Sequence, residues 1–246
     1  MSSRRPDRLE GPPAFLFDLD GTLVDSVYQH VLAWQEALDE AGIEVSVWRI
    51  HRRIGMSGGL FANALLRETG REVTAEDAAR LRQLHGAAYA RRLGQVRPLP
   101  EARELLMYLS EMNVPWAIAT SGYEESARPV IDLLGVGSDV PVVTRDLVGH
   151  AKPDPDLFLA AAERLGVNIE DSVVVGDSVW DLLAARRARA LGVGLLSGGY
   201  GQDELERAGA YRVYQDPADL LHHLDEVGVR PVVPGGFTPS ATRGRG

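Results

Sequence analysis

Short apolar runs alternate with segments of helical pattern along most of the chain. The runs that fit buried strands are residues 14–17, 114–119, 140–144, 172–176 and 193–196. Between the later runs, apolar residues recur at helical spacing, and a glycine follows each helical segment, at Gly135, Gly166 and Gly192. Glycine just beyond a helix is the usual stop signal. The alternation predicts βαβ units around a buried parallel sheet, which is an α/β fold.

One long interval breaks the alternation. About 95 residues separate the first run from the second, and their pattern is helical. The apolar positions that share one helical face at its start are Val27, Val31, Trp34, Leu38 and Ala41. A loop of that length without structure would be unusual inside a compact domain. We therefore predict an inserted helical subdomain, residues 28–97, within a core formed by residues 13–27 and 98–230.

The two ends of the chain differ from the rest. Residues 1–12 are polar, and residues 231–246 are rich in proline and glycine. Such composition favours neither a helix nor an inner strand. We predict a disordered N-terminus and a flexible C-terminal tail. The last helix is predicted to run from Pro217, a residue suited to a first helical turn, to Val227.

Composition and charge narrow the function classes. The 246 residues carry a formal net charge of −9 and no cysteine. An acidic chain argues against a nucleic-acid partner, because neutralising phosphates needs a basic face. The lack of cysteine excludes disulfides, zinc–thiolate sites and thiol nucleophiles. No apolar run reaches the ~18 residues that cross a bilayer. We expect a cytoplasmic protein with no membrane partner, present as a monomer or a weak homodimer.

Polar residues directly after the predicted strands carry the candidate chemistry, because ligands of an open parallel sheet bind beyond the carboxyl ends of its strands. These residues are Asp18 and Asp20 after the first run, Thr120 and Ser121 after the second, Lys152 beyond the third, and Asp177 and Asp181 after the fourth. Carboxylates gathered at one edge repel one another unless a cation intervenes, and hard oxygen ligands favour Mg²⁺. A lysine and a hydroxyl group can hold phosphate oxygens. The set predicts a phosphoryl-transfer site that uses Mg²⁺.

Asp18 and Asp20 are close enough in sequence to serve one reaction and separate enough to play different parts in it. One carboxylate can attack phosphorus and form an aspartyl-phosphate. The other can protonate the leaving oxygen and later activate water. The spacing leaves open which aspartate takes which part.

These motifs, in this order, resemble those of the haloacid dehalogenase superfamily of phosphohydrolases, in the group with a helical cap after the first strand. The resemblance covers residues 14–227 and implies a Rossmann-like core with the cap inserted in it. The family's first motif, D-x-D-G-T, matches Asp18 to Thr22. It implies Asp18 as the nucleophile and a metal ligand. It also implies Asp20 as the acid/base, with a carbonyl group that binds Mg²⁺.

The other three family motifs match residues farther along the chain. The second, a Ser or Thr that closes a strand, matches Thr120, and the third, a Lys before Pro, matches Lys152. The fourth, G-D-S-x-x-D, matches Asp177 and Asp181. It implies Asp177 as a metal ligand and Asp181 as a ligand or as support for one.

Within the superfamily the chain is similar to the β-phosphoglucomutase and phosphoglycolate phosphatase group. The hinge helix of the mutases carries a histidine at the position of His30. However, the loop at residues 54–59 lacks the arginine with which those mutases grip a second phosphate. Arg52 and Arg53 stand nearby, in directions that the sequence does not give. We therefore expect a phosphatase acting on a small phosphorylated metabolite such as a sugar phosphate or phosphoglycolate, with a phosphosugar mutase as the alternative.

The residues expected to bind substrate are Thr120, Ser121, Lys152 and His30. His30 fits a plain surface position equally well. Dehalogenation is disfavoured, because the dehalogenases lack the second aspartate of the first motif. A binding protein without activity is also disfavoured, because every motif residue is present. The large Trp180 in the metal loop has no explanation from the sequence.

Overall fold

The computed structural model describes residues 12–56, 58–68, 70 and 74–230. The predictions for residues 1–12 and 231–246 lie, apart from Pro12, outside these ranges. No helix among the described residues combines the length and hydrophobicity that crossing a membrane requires.

The strands follow the predicted apolar runs, with a few additions. In chain order they are β1 (Ala14–Phe17), β2 (Val24–Asp25), β3 (Arg97–Pro98), β4 (Trp116–Ala119), β5 (Val142–Val143), β6 (Ser172–Gly176), β7 (Leu191–Leu195) and β8 (Ala210–Tyr214). Six of them form one parallel sheet in the order β5-β4-β1-β6-β7-β8, and β2 pairs with β3 in a separate antiparallel ribbon. The predicted α/β fold class is confirmed.

The helices occupy the connections between these strands. They are α1 (Val27–Glu40), α2 (Val47–His51), α3 (Gly58–Glu68), α4 (Ala75–Ala90), α5 (Ala102–Glu111), α6 (Glu124–Leu133), α7 (Asp156–Leu165), α8 (Val179–Ala188), α9 (Gln202–Ala208) and α10 (Pro217–His222). Helices α1 to α4 all lie between β2 and β3, in the interval predicted to be helical.

Two apolar layers cover the sheet, one on each face. On one face, α5, α6 and α10 pack on β1 and its neighbours through residues such as Leu105, Ile131 and Leu220. On the other face, α7 and α8 supply Phe158 and Ala184. Central strands covered on both faces become continuous apolar runs in the sequence. This is why the pattern predicted β1 and β6 at the bounds that the structure shows.

Helices α1 to α4 enclose an apolar cluster of their own. Val31, Trp34 and Leu38 from α1 meet Phe61 from α3 and Leu81 from α4. The helical face read from the sequence therefore points into this cluster. The β2–β3 ribbon, in which Val24 pairs with Pro98, joins the helical segment to the sheet at both ends.

Several boundaries differ from the predictions. The strands in the second and third apolar runs are shorter than those runs, at Trp116–Ala119 and Val142–Val143. The last helix, predicted to continue to Val227, ends at His222, and a 3-10 turn follows at Leu224–Val227. Helix α8 was predicted to continue to Gly192, but it ends at Ala188, because Arg189 adopts a left-handed conformation with φ of 64°. Strand β7 therefore begins at Leu191 instead of Val193. Strand β8 was not predicted, because it is a partly exposed edge strand with a charged residue, Arg212, in its centre.

Candidate active site

The acidic residues predicted to converge do meet at the carboxyl edge of the sheet. Asp18 follows β1, and Asp177 and Asp181 follow β6, the strand that pairs with β1. One carboxylate oxygen from each of the three lies within 4.8 Å of the others, and all three side chains are buried. Lys152, in the loop beyond β5, contacts Asp18, and its Nζ atom lies 2.7 Å from Oδ1 of Asp181. The four side chains form one buried charged cluster.

Two glycines, Gly21 and Gly198, leave the space that the Asp177 carboxylate occupies. A Cβ atom on Gly198 would stand 2.5 Å from Cγ and 2.7 Å from Cβ of Asp177, closer than real Cβ atoms approach. Gly21, with φ of +85°, would likewise place a Cβ atom 2.5 Å from Oδ2 of Asp177. The backbone after β1 and after β7 can therefore close around Asp177 only without side chains at these two positions.

Among the described residues, positive charge only partly balances the negative charge of the cluster. Burial, together with repulsion from Asp181 and Asp20, raises the pKa of Asp18 to about 7 although Lys152 acts in the opposite direction. Burial and the charges of Asp181 and Asp18 raise the pKa of Asp177 well above its ordinary value. Three carboxylates face one ammonium group, so two negative charges stay uncompensated when all are ionised. A divalent cation would offset them.

The two carboxylate oxygens of Asp181 have different surroundings. Its Oδ2 atom accepts a hydrogen bond of 3.1 Å from the backbone N–H of Ser178, at the start of α8. Its Oδ1 atom is buried without a hydrogen-bond donor in proper geometry and faces Lys152. One oxygen thus caps the helix, and the other remains available to the charged cluster.

Lys152 remains charged in spite of its complete burial. Burial acts to lower its pKa, but the charges of Asp18 and Asp181 outweigh this effect and raise it. An ammonium group held in this way is a permanent positive charge beside the Asp18 carboxylate.

Asp20 lies at the wall of a cavity, with one oxygen fixed. Its Oδ1 atom accepts a hydrogen bond of 2.6 Å from Ser26 and lies 3.2 Å from Nε2 of His30. Burial acts to raise the pKa of Asp20, but His30 and Ser26 outweigh it and lower the pKa. Both contacts involve Oδ1, so within the described residues Oδ2 has no hydrogen-bond partner and can meet a reacting group.

His30 contacts the site and does not occupy a plain surface position. Its Nδ1 atom lies 3.1 Å from Nε2 of His85 in α4, and its ring stacks on Tyr89 with centroids 3.8 Å apart. Burial and the neighbouring His30 lower the pKa of His85 well below its ordinary value, so His85 is neutral. His85 was missed from the sequence, because a contact across 55 positions leaves no local signal.

Thr120 and Ser121 differ in the use of their hydroxyl groups. Thr120 is buried, and its Oγ1 atom accepts a hydrogen bond of 3.0 Å from the N–H of Gly122. Ser121 donates to the carbonyl oxygen of Gly55, 2.9 Å away, in the loop between α2 and α3. Ser121 therefore joins the loop after β4 to the helical segment.

The structure gives the directions of the two arginines near the helical loop. Arg52 forms an ion pair with Glu204 of α9, and its guanidinium carbon lies 4.2 Å above the ring of Tyr200. Arg53 lines the cavity that contains Asp18 and Asp20. Trp180 lies beside the same loop, where a Cβ atom on Gly55 would come 3.3 Å from its Cδ1 atom.

A cavity of about 530 Å³ lies between the sheet edge and α1 to α4. Asp18, Asp20, Thr120 and Ser121 line one part of it, and residues of the helical segment line the rest. Trp34, on the apolar face of α1, is buried, stacks with Phe61 and with His85, and also borders this cavity.

A parallel α/β sheet with buried carboxylates and a lysine at its carboxyl edge defines a class of enzymes that handle anionic groups there. The chain belongs to the haloacid dehalogenase-like hydrolases, since the model of that family matches residues 12–189. It is 31% identical to a phosphoglycolate phosphatase of Agrobacterium fabrum over 191 residues, which are 76% of this chain and 81% of that protein.

Two further similarities support this membership. Hexitol phosphatase A of Escherichia coli is 32% identical over 176 residues, which are 71% of this chain and 78% of that protein. The crystal structure of a hydrolase from Pseudomonas syringae superposes with a TM-score of 0.86 at 56% identity, covering 88% of this chain and 100% of that one. The family resemblance read from the motifs is confirmed.

Proposed function

We propose that the protein is a Mg²⁺-dependent phosphomonoester hydrolase. Its substrate is a small phosphorylated metabolite, such as a sugar phosphate or phosphoglycolate, and an aspartyl-phosphate is the intermediate. The observation that carries the proposal is the contact of Asp18 with Lys152 at the wall of a cavity, beside Asp177 and Asp181. The phosphatases among its relatives support the same reaction class.

The donor set fits Mg²⁺. Asp18, Asp177 and Asp181 offer hard oxygen atoms in a buried cluster with uncompensated negative charge. Asp18, Asp177 and the carbonyl group of Asp20 would hold the ion, with Asp181 as a further ligand or as support. When bound, the ion would offset negative charge on the phosphoryl oxygens.

The side chains divide the reaction into two displacements. A carboxylate oxygen of Asp18 forms a bond to phosphorus while the bond from phosphorus to the ester oxygen breaks. Lys152 offsets the charge of the transferred group, and Thr120 orients one of its oxygens. Asp20 is ionised in the free protein, since its pKa is lowered, so the proton comes with the monoanionic form of the ester, whose second pKa is about 6. Asp20 takes that proton at Oδ2 and passes it to the departing oxygen. It then takes a proton from the water that attacks phosphorus, which frees Asp18 and inorganic phosphate.

The helical segment, residues 28–97, acts as the cap in this proposal. It closes one side of the cavity, and the hydrogen bond from Ser121 to the carbonyl of Gly55 ties it to the core. Closure of this kind excludes bulk water until the phosphoenzyme has formed and selects the leaving group.

A phosphosugar mutase is the second candidate, because Arg53 lines the cavity. A mutase needs a cation there for the phosphate that is not transferred. It also needs a bisphosphate activator and releases little inorganic phosphate, which separates it from a phosphatase by assay.

Release of inorganic phosphate from a panel of small phosphomonoesters, with Mg²⁺ and with chelator, tests the proposal. The panel contains phosphoglycolate and hexose phosphates, and the Asp18→Asn variant is the control for contaminating phosphatases. We expect release that requires both Mg²⁺ and Asp18. Turnover of β-glucose 1-phosphate only when a bisphosphate is added would select the mutase. Release that persists in Asp18→Asn would contradict both.

A further inference from the structure

Arg82, in α4, is a cation in the cavity wall that no described residue neutralises. Its side chain is half-buried and lines the cavity that contains Asp18. It makes no hydrogen bond or ion pair within the part of the chain that the structure describes. The other arginines near the cavity differ in this respect. Arg52 pairs with Glu204, and Arg53 donates a hydrogen bond of 3.0 Å to the carbonyl of Arg49.

A partly desolvated guanidinium without a partner loses hydration and gains nothing from the protein. An anion in the cavity would compensate for the lost hydration. The planar guanidinium suits the paired oxygens of a carboxylate or a phosphate. Glu125, the acidic residue that lines the cavity besides Asp18 and Asp20, is exposed on α6 and makes no ion pair with Arg82.

The start of α3 adds to the positive character of this region. Nη1 of Arg82 lies 3.6 Å from the position that a Cβ atom of Gly59 would occupy. Gly59 is in the first turn of α3, at the positive end of the helix dipole. An anion beside Arg82 would thus face two favourable features from different helices.

The size of the cavity indicates how large the leaving group of the substrate can be. Its volume, about 530 Å³, is within the range of pockets that enclose drug-sized molecules. Phosphoglycolate, with a two-carbon leaving group, would leave much of this space empty. The apolar part of the wall includes Trp34, whose ring already stacks with those of Phe61 and His85 at centroid distances of 4.1 and 4.2 Å. This part of the wall is therefore formed in advance.

We propose that Arg82, beside the first turn of α3, forms a subsite for a second anionic group, on a substrate whose leaving group is about the size of one aromatic ring. The anion is a carboxylate or a phosphate. The inference rests on the proposed phosphatase function, because it takes the transferred phosphoryl group to lie at Asp18 and Lys152. The second anion then fixes the far end of the leaving group and selects against short esters and neutral ones.

Matched aryl phosphates test the subsite. The esters are 4-carboxyphenyl phosphate, its neutral counterpart 4-(hydroxymethyl)phenyl phosphate, and 1,4-phenylene bisphosphate. Phosphate release is followed with Mg²⁺ for the unmodified chain, for Arg82→Met and for Arg80→Met. Arg80 is exposed on the same helix and does not line the cavity, so Arg80→Met is the control for loss of an α4 arginine.

We expect kcat/KM for a charged ester to exceed that for the neutral ester by about 10- to 100-fold, as for a hydrogen bond to a charged group. The larger preference among the two charged esters identifies the anion. Arg82→Met should bring the ratio close to one, and Arg80→Met should preserve it. A merely structural role of Arg82 would lower all rates together and leave the ratio unchanged.

Two results would overturn the inference by different routes. The subsite is contradicted if the neutral ester is hydrolysed as efficiently as both charged esters. It is also contradicted if a preference for a charged ester persists in Arg82→Met. Either result leaves the phosphatase function unaffected. Failure to hydrolyse any of the esters or the metabolite panel overturns the phosphatase function and the subsite with it.

Discussion

Replacement of Gly198 by alanine should disable the site while the fold persists. The added Cβ atom would stand 2.5 Å from Cγ and 2.7 Å from Cβ of Asp177, whereas real Cβ atoms keep at least 3.0 Å. Rotation of the carboxylate cannot relieve a contact with Asp177 Cβ, so the side chain must move by at least about 0.5 Å at Cγ, and further at Oδ2. Gly198 does not have a positive φ, so alanine adds no backbone strain.

The displacement of Asp177 sets the expected loss of activity. A misplacement of about 1 Å in a catalytic constellation costs roughly 10²-fold in rate, or about 2.7 kcal/mol of transition-state stabilisation. We expect Gly198→Ala to lower kcat/KM by about this factor and to raise the Mg²⁺ concentration needed for half-maximal activity. Overpacking should remove about 1–3 kcal/mol from the free energy of unfolding.

Steady-state phosphate release across a Mg²⁺ titration measures the first effect, and thermal unfolding measures the second. Gly94→Ala is the matched control, because a Cβ atom there meets nothing within 4 Å and the residue has no positive φ. If Gly198→Ala retained the activity and the Mg²⁺ dependence of Gly94→Ala, Asp177 would not hold the ion and the reasoning would fail.

Three further predictions concern the charged cluster. Asp18→Asn should lower phosphate release by about 10³-fold or more with an unchanged circular dichroism spectrum, because the nucleophile is lost. Burial raises the pKa of Asp18 to about 7, above the ~3.9 of an unfolded chain. The contribution of Asp18 to the free energy of unfolding is therefore fully present below about pH 4 and is lost as the pH rises through 7. Urea unfolding of the metal-free protein should therefore show stability falling across that window, less steeply in Asp18→Asn, and a rise would contradict the burial argument. Lys152→Met leaves three buried carboxylates without a counter-ion, so it should cost about 3–5 kcal/mol of metal-free stability in the same assay, with part recovered in Mg²⁺.

Much of the fold could be predicted from the sequence, because strands covered on both faces become apolar runs. Strands β1 and β6 match their predicted bounds for this reason. The end of α8 could not be predicted, since Arg189 takes a left-handed conformation that glycine or asparagine would ordinarily signal. The partly exposed strand β8 lacks a continuous apolar run, so its pattern did not separate it from a loop.

The candidate site, like the fold, could be predicted only in part. Asp18, Thr120 and Asp177 directly follow β1, β4 and β6, so the order of strands in the sheet places Asp18 beside Asp177 and Thr120. His85 and Arg82 belong to α4, a helix with weak amphipathic patterning, and reach the cavity through tertiary packing. No local spacing indicates such a contact. The residues of the helical segment that we propose select a substrate are therefore the part that one sequence does not reveal.

The segment after β7 connects the two halves of the site. Gly198 packs against Asp177, and its carbonyl oxygen lies 2.8 Å from Nε2 of His51 in α2. Two residues later, the hydroxyl group of Tyr200 donates to the carbonyl of Arg52, 2.8 Å away. One short segment thus touches a candidate metal ligand on one side and the helical segment on the other. On the proposed function, these contacts link the end of α2 in the cap to the backbone that confines a ligand of the ion.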